Sequence, residues 1–281
     1  MKSQKVFSPT FSFELFPPQT PEGVEKLRAA RHQLAQFKPK FFSVTFGAGG
    51  STRDRTFDTV LEMLADGHSV APHLSCIGST RENIYSILRK YQESGIRHIV
   101  ALRGDLPSGM AQPGEFRYAN ELVTFIRKEF GNTFEMDVAA YPEYHPQARS
   151  AQEDFRNFRN KIEAGADSAI TQFFYNADAY FHFVDMCEAA NLNVPIVPGI
   201  MPINKFSQLV RFADNCGAEI PRWIRKKLEG YGDDIASIHA FGLDVVTALC
   251  ERLLKAGAPG LHFYTLNSAV LTTKIWQRLG L

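Results

Sequence analysis

Polar residues that could do acid–base or binding chemistry stand where the apolar runs of this sequence end. The first is Glu14, which the stretch SFELFPP sets among Phe11, Phe13, Leu15 and Phe16. An ionised carboxylate is costly to move out of water unless it is paired or protonated. Because a strand alternates its faces, Glu14 could also simply point to solvent while Phe13 and Leu15 point inward. The positions of the other polar residues favour a functional Glu14.

Further apolar runs end in the same way. The residues that end them are Thr45, His73, Arg103-Gly104-Asp105, Tyr141 with Glu143 and His145, and Gln172. At the carboxyl ends of parallel barrel strands, these side chains would converge on one mouth, where such barrels bind ligands. The set contains acids, histidines, an arginine and a tyrosine. It includes no assembled nucleophile, so the residues alone do not define a reaction.

The elements that would position these residues are short apolar runs, each followed by a helical stretch. The runs cover 11–16, 40–46, 69–76, 97–104, 136–142, 168–174, 195–200 and 261–266. Helical spacing of apolar residues fills the intervals, for example at 22–37, 54–67 and 81–95. Ser150 and Glu153 form a capping box before another helix. Eight strand–helix units favour a (β/α)8 TIM barrel over an open doubly wound sheet.

The connection between the seventh and eighth runs is longer than the others. It shows helical patterns at 205–216, 221–230 and 233–256, so we expect extra helices between strands 7 and 8. No other stretch reads as a boundary. We therefore expect one α/β domain over residues 1–281.

Composition argues against several classes of protein. The net charge of +1 over 281 residues argues against a general nucleic-acid binder. The four cysteines are scattered without metal-like spacing, which indicates free thiols in a reducing cytoplasm. We find no signal peptide and no run of about 18 apolar residues, so we expect a cytoplasmic protein that does not span a membrane.

Single motifs are weaker than the pattern as a whole. GAGGST at 47–52 could cradle a phosphate or be a permissive turn. Arg103 and Asp105 could form only a local ion pair, and His73 could be a hydrogen-bonded core histidine. Because the histidines and acids of the mouth lack close ligand spacing, we do not expect a metal site.

The helix after Ser150 has an apolar stripe that would pack and a polar stripe. The polar stripe consists of Asp154, Asn157 and Lys161. It is either a solvated face or a site for a polar ligand such as ribose and phosphate. Phe212, in the helical region after the seventh run, could stack on a flat ligand or lie in the core.

Taken in order, the strand-end motifs identify a family. They are SFELFPP, KPKFFSVTFGAGGSTRDRT, APHLSC, GIRHIVALRGD, AAYPEYHP, AGADSAITQFFYN, PGIMPI and HFYTLN. Together they resemble methylenetetrahydrofolate reductase of the bacterial catalytic-domain type, from about residue 11 to the end of the chain. Each motif is modest alone, but their order and spacing make the resemblance specific.

The resemblance implies a (β/α)8 barrel that holds FAD at the carboxyl ends of its strands. Such enzymes reduce 5,10-methylenetetrahydrofolate to 5-methyltetrahydrofolate with NADH or NADPH, and the two substrates take turns on one flavin face. The product supplies methyl groups for methionine synthesis. The resemblance also implies a homo-oligomer, and it does not settle which nicotinamide is used.

The resemblance implies individual roles as well. Glu14 matches the general acid that assists opening of the five-membered folate ring, and Asp105 matches an acid near the flavin and the pterin. Gln172 matches a contact to the pterin and nicotinamide, and Phe212 matches a stacking aromatic. The positions expected to bind substrate are Gln172, Gln208, Phe212 and Ser268.

A larger set of positions matches the FAD contacts of the family. They are Thr45, Phe46, Ala48, His73, Arg103, Gly104, Asp105, Ala119, Tyr141, His145, Ala148, Asp154, Asn157, Asn160 and Lys161. Within this set, Arg103 and Lys161 are the expected partners of the diphosphate. The resemblance thereby gives the polar stripe of the helix a purpose.

Two residues depart from the family pattern. Ser268 stands where an arginine commonly follows FYTLN, which removes a cation for the folate tail, and Asn160 stands near Lys161 where a basic residue is common. Because of Ser268, an alternative function remains, which is a reductase or lyase on the same scaffold that acts on another one-carbon folate or a smaller substrate. A flavin-binding subunit without turnover is a further alternative, against which the intact catalytic positions argue. Since the chain ends at Leu281, we do not expect the regulatory domain of eukaryotic relatives.

Overall fold

The computed structural model describes residues 1–46, 53–105 and 114–281. Ala48 and the GAGGST stretch at 47–52 therefore lie outside the described residues. Within the described ranges, strands alternate with helices from one end of the chain to the other.

Parallel strands build the sheet. They are β1 (Thr10–Leu15), β2 (Phe41–Val44), β3 (Val70–Ser75), β4 (His98–Leu102), β5 (Glu135–Ala140), β6 (Ser168–Thr171), β7 (Ile196–Val197), β8 (Gly199–Ile200) and β9 (Gly260–Tyr264). Their order in the sheet is β7-β6-β5-β4-β3-β2-β1-β9-β8.

β7 and β8 are the two halves of one interrupted strand. They are separated by Pro198, which has no N–H to give to a ladder. β7 pairs with β6, whereas β8 pairs with β9, and β9 pairs with β1. The ring is closed in this way. The predicted TIM barrel is confirmed, with its seventh strand split in two.

Helices surround the barrel and fill the last connection. They are α1 (Pro21–Ala35), α2 (Arg53–Ala65), α3 (Arg81–Glu93), α4 (Ala119–Phe130), α5 (Ala151–Glu163), α6 (Ala177–Ala189), α7 (Phe206–Cys216), α8 (Arg222–Tyr231), α9 (Ile235–Ala256) and α10 (Val270–Leu279). The expected extra helices are present, because α7, α8 and α9 all lie between β8 and β9. The predicted cap of α5 is also present, since the Ser150 hydroxyl accepts the Glu153 N–H at 3.2 Å.

The strands alternate between an outer and an inner set of side chains. Phe13 of β1 belongs to the outer set and packs 5.7 Å from Trp276 of α10, between ring centroids. A separate inner cluster contains Phe41, Val100 and Ile170 from three different strands. Glu14 is out of phase with Phe13, so its side chain points into the barrel, where strand ends can bring it to the mouth.

Other expectations can be compared with the described residues. All four cysteines are free thiols. In the described ranges, we find no helix that is both long and apolar enough to cross a membrane. Nor do the described histidines, cysteines and acids form a group of three or more that could hold a metal ion.

Candidate active site

Glu14 lies at the carboxyl end of β1, at the mouth of the barrel. Its neighbours in the sheet are Ser43 of β2 and Tyr264 of β9. The Glu14 side chain is 18% exposed, and its Oε2 lies 3.4 Å from His73 Nε2 and 3.5 Å from His262 Nε2. The alternative of a solvent-facing glutamate is wrong, because this carboxylate stands between two buried imidazoles.

The two imidazoles beside Glu14 are not satisfied by hydrogen bonds at the nitrogen that faces it. His73 Nε2 and His262 Nε2 are both buried and have no hydrogen-bond partner among the described residues. Burial lowers the pKa of His73 below its usual value, although the negative charge of Glu14 opposes this. The other ring nitrogen of His262, Nδ1, lies 2.7 Å from the Ser12 hydroxyl. One nitrogen of each ring therefore lies close to the Glu14 carboxylate, at 3.4 Å for His73 and 3.5 Å for His262.

Arg103, Gly104 and Asp105 follow β4 at the same mouth. Arg103 donates to the Gly104 carbonyl at 3.1 Å and to Gln147 Oε1, and among the described residues we find no ion pair between Arg103 and Asp105. Gly104 has a φ of +82°, and a Cβ there would lie 1.8 Å from the Ser75 hydroxyl. Only glycine fits this close approach to the end of β3. Asp105 is exposed at the rim.

The loop after β5 brings several predicted residues together. The His145 backbone N–H donates to Asp154 Oδ2 of α5 at 2.9 Å. The Tyr141 and His145 rings meet edge to face at 4.6 Å, and the Ala148 N–H donates to the His145 carbonyl at 2.9 Å. Burial raises the pKa of Tyr141 to about 12, with Asp105 adding to the effect. This loop and the first turns of α5 are thus one connected surface at the mouth.

The polar stripe of α5 faces this surface. Lys161 is half-buried and donates to the Ala139 carbonyl. Burial lowers the pKa of Lys161 to about 8, and the positive charge of Arg103 acts in the same direction. Asn157 is half-buried on the same helix, whereas Asn160 is exposed. A half-buried cation with a second cation near it fits an anionic group such as a diphosphate.

Gln172 follows β6 and is held by its own loop. Its backbone N–H donates to the Ala140 carbonyl at 2.8 Å, and its side-chain Oε1 accepts the Phe173 N–H at 3.0 Å. The Gln172 side chain can still donate through its NH2 and accept through the second lone pair of its oxygen. Beneath it, the Tyr264 hydroxyl donates to the Thr171 carbonyl at 2.7 Å.

The remaining substrate positions lie on α7 and after β9. Gln208 and Phe212 are one turn apart on α7, and both are half-buried. The Arg211 guanidinium lies 5.4 Å from the Phe212 ring centroid. Ser268 is exposed, and its N–H donates to the Thr265 carbonyl at 3.0 Å.

Three further predicted positions lie at or next to the ends of strands and helices. Thr45 and Phe46 directly follow β2, and the Thr45 N–H donates to the Leu15 carbonyl at 3.0 Å. Ala119 is the first residue of α4. Ala48 lies outside the described residues.

Sequence reasoning missed His262 and Ser12, and it left Glu143 without a role. His262 lies within the apolar run LHFYTL. Strand alternation offered a signal for it, because neighbouring side chains of a strand point to opposite faces and Phe263 points outward. Glu143 Oε2 accepts the Glu219 N–H at 2.8 Å, while its Oε1 is buried without a partner in the described residues. Burial raises the pKa of Glu143 to about 7.

Acids, imidazoles and cations lie together at the carboxyl ends of the strands, which is where TIM-barrel enzymes have their active sites. The fold and the site therefore define the chain as a TIM-barrel enzyme, and comparison with known proteins identifies its family. A model of the methylenetetrahydrofolate reductase family matches residues 2–280. The 5,10-methylenetetrahydrofolate reductase of Escherichia coli (strain K12) is 43% identical over 271 residues, which span 96% of this chain and 90% of the relative. This chain belongs to the methylenetetrahydrofolate reductase family, a family of oxidoreductases.

Two other similarities extend the comparison. Methylenetetrahydrofolate reductase (NADH) 1 of Arabidopsis thaliana is 37% identical over 96% of this chain, a match that spans 48% of the relative. Among solved structures, an uncharacterized protein from Clostridium thermocellum, described as binding two copies of 5-methyl-5,6,7,8-tetrahydrofolic acid, has a TM-score of 0.67 at 18% identity. That similarity covers 98% of this chain and 95% of the other, and at this identity it shows the shared fold alone.

Proposed function

We propose that this chain reduces 5,10-methylenetetrahydrofolate to 5-methyltetrahydrofolate, with NADH or NADPH as reductant and FAD as cofactor. The observation that carries the proposal is the position of Glu14, a carboxylate inside the barrel mouth between two buried imidazoles. The names of the Escherichia coli and Arabidopsis thaliana relatives support the substrate and the use of a nicotinamide. The methyltetrahydrofolate bound by the Clostridium thermocellum protein supports a folate site on this fold.

FAD fits the polar rim of the mouth. Lys161 holds a charge that burial disfavours, so a bound diphosphate would stabilise it, and Arg103 would be the second cation. Asp154 and Asn157, on the same face of α5, would bind the polar groups between the diphosphate and the isoalloxazine. When bound, FAD would carry hydride equivalents from the nicotinamide to the folate.

Glu14 is the proposed general acid. Its carboxyl would give a proton to the ring nitrogen that leaves as the five-membered folate ring opens. His73 and His262 stand where they can contact the carboxylate that remains. Both histidines are buried and the Glu14 side chain is 18% exposed, so the proposed acid is partly shielded from bulk water.

The other proposed roles follow from position at the mouth. Asp105 would place a negative charge where the opened folate becomes cationic. The NH2 group of Gln172 would donate to the heterocycle edge, while its oxygen accepts the Phe173 N–H. Phe212 would stack on the pterin or the nicotinamide, with Gln208 beside it. The two substrates would use this one space in turn.

The test is anaerobic stopped-flow spectroscopy of the FAD-loaded protein, with Glu14→Gln as the matched variant. The oxidised protein is mixed with NADH or NADPH, and the reduced protein is then mixed with methylenetetrahydrofolate, while the visible absorbance of the flavin is followed. We expect the wild type to bleach with the nicotinamide and to regain its absorbance with the folate. Glu14→Gln should bleach normally but fail to regain it, because only the second step needs the acid.

Two results would contradict the proposal. If the purified protein takes up no FAD, the proposed roles of Lys161 and Arg103 are wrong. If the reduced wild type is stable in the presence of the folate, the substrate is wrong, and the exposed Ser268 becomes the first position to examine.

A further inference from the structure

Glu143 joins two segments of the mouth that are far apart in sequence. It lies in the loop after β5, and its Oε2 accepts the backbone N–H of Glu219, just beyond α7, at 2.8 Å. Its second oxygen, Oε1, is buried and has no hydrogen-bond partner among the described residues. A carboxylate in this position is more than a solvated loop residue, because half of it is sealed inside a contact between segments.

The contact around Glu143 is tightly packed. At Gly217, which ends α7 with a φ of +74°, an added Cβ would lie 3.3 Å from both the Tyr144 carbonyl oxygen and Pro146 Cδ. The cavity between these segments is only about 10 Å³, and it is lined in part by Tyr141, Gln172 and Cys216. Such a space holds at most one water molecule. Movement of the end of α7 would therefore expose the Glu143 carboxylate.

The joined segments both carry proposed site residues. The loop after β5 holds Tyr141 and His145, whereas α7 holds Gln208 and Phe212. The start of α7 has a separate tether, because His239 Nε2 lies 2.9 Å from Asn204 Oδ1. The hydrogen bond of Glu143 to Glu219 is the corresponding polar tether beyond the other end.

We propose that Glu143 is a positioning residue, which ties the end of α7 to the loop after β5 and so holds Phe212 and Gln208 over the substrate space. The role of those two residues rests on the proposed function, but the tether itself does not. Glu143 acts through α7, so its effect should appear in substrate affinity and in the mobility of that helix.

The charge of Glu143 should control how tightly the tether holds. Burial raises its pKa to about 7, and the charge of Glu219 adds to this effect. The other titratable groups facing it are the Cys216 thiol of α7 and the phenols of Tyr141 and Tyr144 in its own loop. The charge of Glu219 disfavours a second negative charge at Glu143.

The sign of the pH effect follows from linkage. With the tether closed, the carboxyl binds its proton up to about pH 7, whereas a hydrated carboxyl would lose it near its usual 4.5. The closed form therefore binds more protons, and rising pH favours the open form. Between about pH 6 and about pH 8, the open-to-closed ratio should rise about tenfold.

The experiment compares Glu143→Gln, Glu143→Ala and the wild type by hydrogen exchange over residues 206–219. Glutamine keeps an oxygen for the Glu219 N–H without a charge, so Glu143→Gln should stay closed and serves as the reference for intrinsic exchange at each pH. Glu188→Gln is the control, since Glu188 also accepts a backbone N–H at 2.8 Å, from Ser3, away from α7. We expect wild-type exchange in this segment to rise about tenfold relative to Glu143→Gln from about pH 6 to about pH 8.

Steady-state kinetics give the second readout. Glu143→Ala should raise KM for the folate and the nicotinamide about fivefold, as expected for one lost hydrogen bond, with a smaller change in kcat. Glu143→Gln should retain the low KM.

Equal exchange of residues 206–219 in all variants at both pH values would overturn the proposal. A general rise in exchange throughout Glu143→Ala, without selectivity for α7, would overturn it as well. If neither substrate reacts, the proposed function fails, while the exchange result still decides the tether.

Discussion

At the scale of single residues, Glu14, His262 and Ser12 form a continuous set of contacts inside the barrel. His262 Nε2 lies 3.5 Å from Glu14 Oε2, and His262 Nδ1 lies 2.7 Å from the Ser12 hydroxyl. The Ser12 hydroxyl can donate to or accept from His262 Nδ1, and either hydrogen bond holds the ring in this orientation. Ser12 therefore orients the imidazole that contacts the proposed acid.

Ser12→Ala should slow the oxidation of the reduced protein by the folate about fivefold, because one neutral hydrogen bond is worth about 1 kcal/mol. Reduction by the nicotinamide should be unchanged. Ser43→Ala is the matched control, since the Ser43 hydroxyl is buried on the neighbouring strand and has no hydrogen-bond partner in the described residues. Rapid-mixing measurement of the two half-reactions checks this, and equal slowing in both variants would show a packing effect.

Lys161 gives the second prediction at this scale. Its pKa is lowered to about 8, so in the cofactor-free protein it loses its charge as pH rises through that value. FAD affinity should therefore be greatest below about pH 8 and fall above it, and Lys161→Met should weaken binding about tenfold or more and remove this pH dependence. The measurement is fluorescence titration of FAD across pH. Lys128→Met, at an exposed lysine of α4, should bind FAD as the wild type does. A pH-independent wild-type affinity would exclude the role.

The sequence could predict some of these residues but not the contacts between them. Glu14 and Lys161 stand out because a charge in an apolar run and a polar helix stripe are local patterns. The contact of Ser12 with His262 joins residues 250 positions apart, and the contact of Glu143 with Glu219 joins residues 76 apart. Such pairs depend on how the ring closes and where α7 returns, which no local spacing encodes.

At the scale of elements, α5 connects local chemistry to the site. Its first turn is capped by Ser150, and its polar face carries Asp154, Asn157 and Lys161. The cap fixes where the helix starts and hence which face meets the mouth. The start of α5 and its polar face could both be predicted from the sequence, because a capping box and a helical repeat are short-range signals.

Ser150→Ala should destabilise the protein by about 1 kcal/mol, the usual cost of losing an N-cap. It should also weaken FAD binding, because fraying of the first turn of α5 displaces Asp154. The matched control is Thr80→Ala, which removes a similar cap, to the Asn83 N–H at 3.2 Å, from a helix without proposed site residues. Chemical denaturation and FAD titration of both variants test this. A similar loss of FAD affinity in Thr80→Ala would mean that global stability, and not α5, is responsible.

The strands show where sequence reasoning was sufficient and where it was not. Apolar runs of strand length located every strand of the described residues, because the outward side chains of these parallel strands are apolar and pack against the helices. The division of the seventh strand at Pro198 was not predicted, although proline within a run is a signal for it. Which neighbour each half would take depended on closure of the whole ring.

At the scale of the whole molecule, the far end of the barrel holds a buried ion pair. His98 Nε2 of β4 lies 2.8 Å from Asp137 Oδ2 of β5, and the Ser168 hydroxyl of β6 donates to Asp137 Oδ1. Burial alone would lower the pKa of His98, but the charge and hydrogen bond of Asp137 raise it. Burial alone would raise the pKa of Asp137, but His98 and Ser168 lower it. The pair ties three strands together at the amino-terminal end.

Because of this pair, the free energy of unfolding should decrease both at high pH, where His98 loses its proton, and at low pH, where Asp137 gains one. The contribution of His98 is complete below the usual histidine pKa of 6.5 and is lost as pH rises through its raised value. The contribution of Asp137 is complete above the usual 3.8 and is lost as pH falls through its lowered value. His98→Leu alone should cost about 3–5 kcal/mol, because Asp137 stays buried without its partner.

A double-mutant cycle tests the pair. His98→Leu with Asp137→Leu should recover much of the stability lost by either change alone, since no buried charge then lacks a partner. Denaturant unfolding of the four proteins at several pH values gives the coupling. Additive losses would show that the two side chains do not stabilise the fold as a pair.

The two halves of the split seventh strand are joined to their neighbours by short ladders. Each of its halves contributes a ladder of two residue pairs, Ala169 with Ile196 and Ile170 with Val197 on one side, Gly199 with His262 and Ile200 with Phe263 on the other. The ladder between β1 and β9 has five pairs. When the barrel opens locally, strands joined by a short ladder should separate more readily than strands joined by a long one. Since His262 pairs with Gly199, the two-pair ladder between β8 and β9 lies directly beside the imidazole that contacts Glu14, the proposed acid.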